Sequence, residues 1–342
     1  MNTILTQGEG SKLVMSELRY ATQPLEAKST RLFFIDNLRV ALIILVVLHH
    51  VAMIYEGDFR FNYVDPADNP LTSSLLLIFL MCNQAFFMGL FFFISGYFTP
   101  GSFDRKGAWP FMKERLITLG IPFLLYMFLL SPIAWLPSAL ASFTLPFTWP
   151  QYFSLVEPGP LWFALMLLIF NLGYLLWRTT RRANAEEPAR SNVSPLHIQT
   201  ICFFILAQAV VSYLFRIIAP TNNVFLLFPC FGYFPQYLSF FILGVLANRR
   251  DWLRTFPGNL GILGFIVAIV CTFCLFPAAL GDADRFVGGG SWQSGAFALW
   301  DSTFAVGISL ALLTLFRRFL NQQGELGRFL QKHTFSVYVL HR

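Results

Sequence analysis

The chain has 342 residues, of which 56% are hydrophobic and 12% charged, against about a quarter charged in an ordinary soluble domain. A water-soluble fold of this length has no way to cover so much apolar side chain, so the composition excludes a soluble globular enzyme. The formal net charge of +6 excludes nothing by itself, because basic residues that mark membrane topology and basic residues that bind nucleic acid give the same sum.

Residues 1–30 are polar and mixed, with no apolar stretch ahead of a small-residue cleavage site. They read as a flexible cytoplasmic tail and not as a signal peptide. Apolar runs follow at 32–54, 71–98, 115–136, 159–177, 197–218, 223–247, 259–279 and 295–316, and about 20 apolar residues suffice to cross a hydrocarbon core of about 30 Å. The expectation is an all-α polytopic transmembrane bundle over residues 31–342, with eight complete spans. A truncated ninth is expected to begin near Phe335 and stop at Arg342.

When the loops are assigned alternately, one side receives nearly all the basic residues, from Arg31 through Arg105, Lys106, Arg178, Arg249 and Arg317 to Lys332. The other side receives only Arg60 and Arg285, together with Glu56, Asp58, Asp65, Asp68, Glu157, Asp282 and Asp284. The positive-inside rule then puts the N-terminus in the cytoplasm. Basic residues spread over every loop of one side also argue against a nucleic-acid surface, which would gather them in one stripe. Among the five cysteines, Cys271 and Cys274 have zinc-like spacing, but no second pair or nearby His completes a site, so packing is the reading and no metal is expected.

Ionisable groups inside a spanning helix are costly and are by default candidate sites. The first run holds four: Asp36, Arg39, His49 and His50, within FIDNLRVALIILVVLHH. Arg39 and His50 are eleven residues apart, which brings them within about 20° of one helix face and separates them by about 16 Å along the axis. Asp36 precedes Arg39 by three residues and is placed to hold it. His49 points about 100° away. The plainer alternative is that Arg39 snorkels to headgroups and the histidines sit at the opposite interface. Asp301 lies inside the eighth run and requires a partner there.

The segment IDNLR followed by His50 resembles the signature of the acyltransferase 3 family of membrane-bound acyltransferases in its first transmembrane helix. FFFISGYF at 91–98, KERLITLGIPF at 113–123, GPLWF at 159–163 and SVYVLH at 336–341 resemble further motifs of that family. The flavour of these motifs is closest to its glucan-modifying members. The resemblance implies transfer of an acetyl- or succinyl-type group from acyl-coenzyme A, a co-substrate and not a bound cofactor, to a hydroxyl of a sugar or glycan.

It further implies that His50 is the general base and that Arg39, with Arg115, meets the coenzyme phosphates. Ser95 and Trp162 are carried over with weaker roles, since a small residue also serves helix packing and a Trp also serves the interface. Arg115 reads equally as a topology anchor, and His341 receives no role. The oxyanion donor is not named by any motif. Two alternatives stay open: a transporter or flippase whose path is lined by Arg39, His50 and Asp301, and an inactive truncated relative.

Overall fold

The computed structural model describes residues 31–57, 64–142, 148–182, 196–279 and 285–341. The segment 1–30, expected to be a tail, lies outside the described residues. From Phe33 onward the chain forms one unit, an all-α polytopic helical bundle. Seven of its described helices are long and apolar enough to cross a membrane. Among the described residues there is no strand, only a bridge between Phe225 and Phe228.

Helix α1 (Phe33–Glu56) ends at Gly57, whose φ is 96°. Helix α2 (Pro70–Lys106) starts at Asn69, whose side chain accepts from the amide of Leu71, with Pro70 at the first helical position where no amide is needed. The third span is a relay: α3 (Ala108–Arg115), a π-helical turn (Leu116–Gly120), α4 (Ile121–Leu125), a second π turn (Tyr126–Leu130) and α5 (Ser131–Ser142). A proline ring collides with the carbonyl four residues earlier. Pro122 and Pro132 therefore oppose Thr118 and Phe128, and each of those residues sits inside a π turn. The carbonyl of Phe128 accepts from the hydroxyl of Tyr152, on α6 (Trp149–Ser154).

A 3₁₀ turn (Gly159–Leu161) leads into α7 (Trp162–Arg182), followed by α8 (Ile198–Ile218). The sixth span expected at 223–247 is corrected here: helix α9 runs only over Phe234–Arg249, behind a 3₁₀ turn at Phe231–Tyr233. Pro220, Pro229 and Pro235 punctuate the approach, and Cys230 takes a left-handed φ of 56°, so the apolar run 223–233 folds as turns. A short α10 (Trp252–Thr255) precedes α11 (Gly258–Ala279) and α12 (Trp292–Phe319).

The last helix is also corrected. Helix α13 begins at Glu325, not near Phe335, and runs to Leu340. Its first half is polar on the outside, so hydropathy hides it, while Gly327, Gln331, Thr334 and Tyr338 form the less exposed stripe that packs on α1.

Two crossings depend on missing side chains. A Cβ on Gly96 of α2 would lie 2.1 Å from the carbonyl oxygen of Phe241 on α9, and one on Gly244 would lie 2.0 Å from that of Phe93. Gly264 of α11 and Gly307 of α12 meet in the same way. Van der Waals contact and not hydrophobicity drives such packing in lipid. The basic ends of α2, α7 and α9 converge on Asp104, which pairs with Arg178 at 3.0 Å and Arg249 at 2.8 Å.

Gly96→Val is expected to force α2 and α9 apart, with a loss of at least about 1–3 kcal/mol, the usual range for overpacking. A thermal unfolding midpoint in detergent equal to the parent's would show that the crossing is not tight.

Candidate functional site

The α1 stripe expected from helix periodicity lines two cavities at two depths. Arg39 and Ile43 border one of about 300 Å³. Val46, His50 and Met53 border a second of about 340 Å³. Positions 39, 43, 46, 50 and 53 follow one another at steps of three or four, which is one face of a helix. Met88 of α2 and Tyr338 of α13 line both cavities and so lie between them. Tyr338 is held in place by donating its hydroxyl proton to the carbonyl of Pro160, in the turn that opens α7.

On the Arg39 side, the guanidinium lies 3.8 Å from the carboxylate of Asp36 and 4.7 Å above the ring of Phe98. Asp36 is buried and Arg39 is partly exposed, so the pair keeps the cation at the mouth of the cavity. Ser95 lines this cavity beside Ile94, while its neighbour Gly96 makes the close helix crossing. Leu119, one turn beyond Arg115, also lines it. Arg115 itself lies 5.4 Å from the ring of Phe111 and is not on the wall. Gln331 and Thr334 of α13 add polar groups to this wall, with Phe335 beside them.

On the His50 side the ring of His50 approaches two polar groups. Its Nδ1 is 3.0 Å from the carbonyl of Val46 and 3.0 Å from Nε2 of His341. His49 is buried, stands edge-on to His50 at 5.8 Å and lies 5.0 Å from Phe87; it lines the same cavity. Trp162 belongs to this wall too, 5.7 Å from Tyr237, which in turn stacks on Tyr233 at 6.1 Å. Gln84, on the wall, donates to the Tyr237 hydroxyl at 3.2 Å. Flat aromatic faces beside a few polar groups suit a ring-shaped polar ligand.

Asp301 has the partner it requires, in Arg216 of α8 at 2.7 Å, both fully buried. The guanidinium of Arg216 lies 4.6 Å from the ring of Tyr233 and 5.3 Å from that of Phe297, two residues that wall the His50 cavity. The pair therefore stands behind the wall and sets its aromatics, and is not exposed to a ligand. Sequence reasoning passed over Arg216, although a lone Arg in one apolar run and a lone Asp in another is the signature of a buried pair. It also passed over Met88 and Tyr233, which carry no signal beyond hydrophobicity, and gave Tyr338 no role of its own although it stands in the SVYVLH motif. Glu157 accepts from Trp135 Nε1 at 2.8 Å and is not among the residues lining either cavity. Among the described residues no cluster of His, Cys, Asp and Glu suits a metal ion.

Removing one partner of a buried pair leaves an uncompensated charge and typically costs about 3–5 kcal/mol. Asp301→Ala should accordingly lower the unfolding midpoint sharply, and Arg216→Met with Asp301→Leu should recover most of the loss. A single variant as stable as the parent would rule out a structural pair.

Comparison with known proteins adds an independent line. A family model described as an acyltransferase domain, acyltransferase 3, matches residues 32–342. Proteins named glucans biosynthesis protein C from Salmonella paratyphi B, Salmonella dublin and Salmonella enteritidis PT4 are each 26% identical over 333 residues, covering 91% of this chain and 81% of theirs. No solved structure matches.

Proposed function

Since the chain belongs to the acyltransferase 3 family of membrane acyltransferases, we propose that it transfers an acetyl- or succinyl-type group from acyl-coenzyme A to a hydroxyl of a glucan or related glycan. The observation that carries this reading is the single α1 face on which Arg39 and His50 line two neighbouring cavities. An acyl-coenzyme A is anionic at its nucleotide end and carries its thioester at the far end of a long arm. Arg39, fixed by Asp36, offers a planar cation for phosphate, and Arg115 adds positive potential nearby. The arm then passes Met88 and Tyr338, which places the thioester next to His50.

In the transfer, Nε2 of His50 takes the proton of the acceptor hydroxyl as its oxygen attacks the thioester carbonyl. The tetrahedral oxyanion collapses, the carbon–sulfur bond breaks, and the thiolate of coenzyme A leaves with the proton returned by His50. The acceptor sugar lies against Trp162 and Tyr233, whose faces match its C–H surfaces, while Gln84 and Glu56 at the same cavity supply hydrogen bonds. A glucan is favoured because the similar Salmonella proteins are named for glucan biosynthesis. The orientation follows the basic residues: N-terminus and Arg39 toward the cytoplasm, His50 toward the opposite face of a bacterial inner membrane. Acyl transfer is favoured over the transporter reading by the family itself.

Two variants test the assignment in membranes given acetyl- or succinyl-coenzyme A and glucan oligosaccharides, with thiol release as the readout. His50→Ala should lose about 10²–10⁴-fold in turnover, the usual size of a general-base contribution, while remaining inserted. Arg39→Ala should raise the KM for the donor by about 10–100-fold, the equivalent of losing a charge-assisted contact of about 1.5–3 kcal/mol. Undiminished turnover in His50→Ala would remove the histidine from the mechanism, and an unchanged donor KM in Arg39→Ala would remove the arginine from donor binding.

A further inference from the structure

The family reading uses one histidine, and the bundle supplies a second against it. His341 follows the last turn of α13, and its Nε2 lies 3.0 Å from Nδ1 of His50, with ring centroids 4.7 Å apart. The two residues are 291 positions apart in the chain. Their meeting is therefore a product of α13 packing on α1, the stripe Gln331, Thr334, Tyr338 carrying the C-terminal turn of α13 to the His50 end of α1.

Their bonding partners fix where the protons sit. The carbonyl of Tyr338, 2.7 Å from His341 Nδ1, is an acceptor only, so His341 Nδ1 bears the hydrogen. The neutral ring then has its lone pair on Nε2, aimed at His50. On the other ring, Nδ1 is 3.0 Å from the carbonyl of Val46, again an acceptor only. His50 Nδ1 therefore carries a hydrogen, shared in a three-centre bond between Val46 and His341 Nε2. A neutral His50 protonated at Nδ1 has its lone pair on Nε2.

We propose that His341 is a positioning residue for His50: it fixes the Nδ1–H tautomer, aims Nε2 as the basic atom, and stabilises the imidazolium that forms when His50 accepts the hydroxyl proton. The proposal rests on His50 being the base. It gives His341 the part that a carboxylate plays behind the base in hydrolytic triads, played here by a neutral imidazole, which an apolar setting accepts at lower cost than a second charge. The proton gained at Nε2 leaves on the coenzyme A thiolate, so His341 ends the cycle in the state in which it began. The other titratable groups on this cavity are His49 and Glu56 from α1, Cys230 and Tyr233 from the turns before α9, and Tyr338 from α13, among the described residues.

The sign of the pH effect follows. His341 favours the protonated form of His50, so removing it lowers the pH at which His50 gains its proton, and the acid limb of the rate profile moves down. His341→Phe keeps a ring against Tyr338 but cannot accept, whereas His341→Gln can present an amide oxygen near the position of Nε2. We expect thiol release by His341→Phe to fall about 10–100-fold in kcat with the donor KM little changed, its acid limb to move to lower pH, and His341→Gln to recover most of both. Independently of turnover, nitrogen-15 NMR of the five histidines in nanodiscs should find His50 as the Nδ1–H tautomer in the parent and a mixture in His341→Phe.

An Nε2–H tautomer of His50 in the parent overturns the proposal whatever the activity. So does a His341→Phe variant with parental kcat and acid limb, or one whose loss is matched by His341→Gln with no movement of the limb. If His50→Ala retains turnover, the underlying reading falls and the proposal falls with it. A dead His50→Ala beside a parental His341→Phe removes the proposal alone.

Discussion

A charged or titratable side chain in the hydrocarbon layer must find a partner or a polar space, since the bilayer offers no water to receive it, and the packing of this bundle is largely the set of answers to that demand. Arg39 is met by Asp36 within its own helix and by the ring of Phe98 across it. Arg216 and Asp301 come from α8 and α12 and meet where both are sealed from solvent. His50 is met by the carbonyl of Val46 and by His341. The last two answers tie together elements far apart in sequence, and the helix at the centre, α12, is also the one that delivers the buried aspartate.

The residues expected to matter differ in how visible their placement was. The common face of Arg39 and His50 needed only the pitch of a helix, because both lie on one uninterrupted segment. The burial of Asp301 was likewise foreseeable, since hydropathy placed it inside a span. Its partner was not, for no local rule says which of the remaining helices will pass beside it. The sixth run failed for a different reason: residues 223–233 are as apolar as a span but interrupted by prolines and a left-handed Cys230, so hydropathy and backbone stereochemistry disagreed and the backbone prevailed. Helix α13 failed in the opposite sense, being amphipathic at first, with its inward face legible only once α1 is known to receive it.

The two cavities are built by different means. That on the Arg39 side is framed by apolar walls with cationic and amide groups at its rim, an arrangement that suits a flexible anionic ligand held by its end. That on the His50 side is walled by rings whose tilt is fixed from behind by Arg216 and from within by the Tyr237 stack. The helix crossings at Gly96 and Gly244 join α2 to α9, and those at Gly264 and Gly307 join α11 to α12.

Met88 and Tyr338, the residues common to both cavities, carry one more consequence. A protein that brings a reagent from one face of a membrane toward the other risks becoming a leak, and an energised membrane tolerates very little ion conductance. Under the proposed function the donor arm would meet a thioether and a phenol ring tethered to the carbonyl of Pro160, the two side chains shared by both cavities. Under that reading the same two side chains would also keep the two cavities from joining into an open passage for ions.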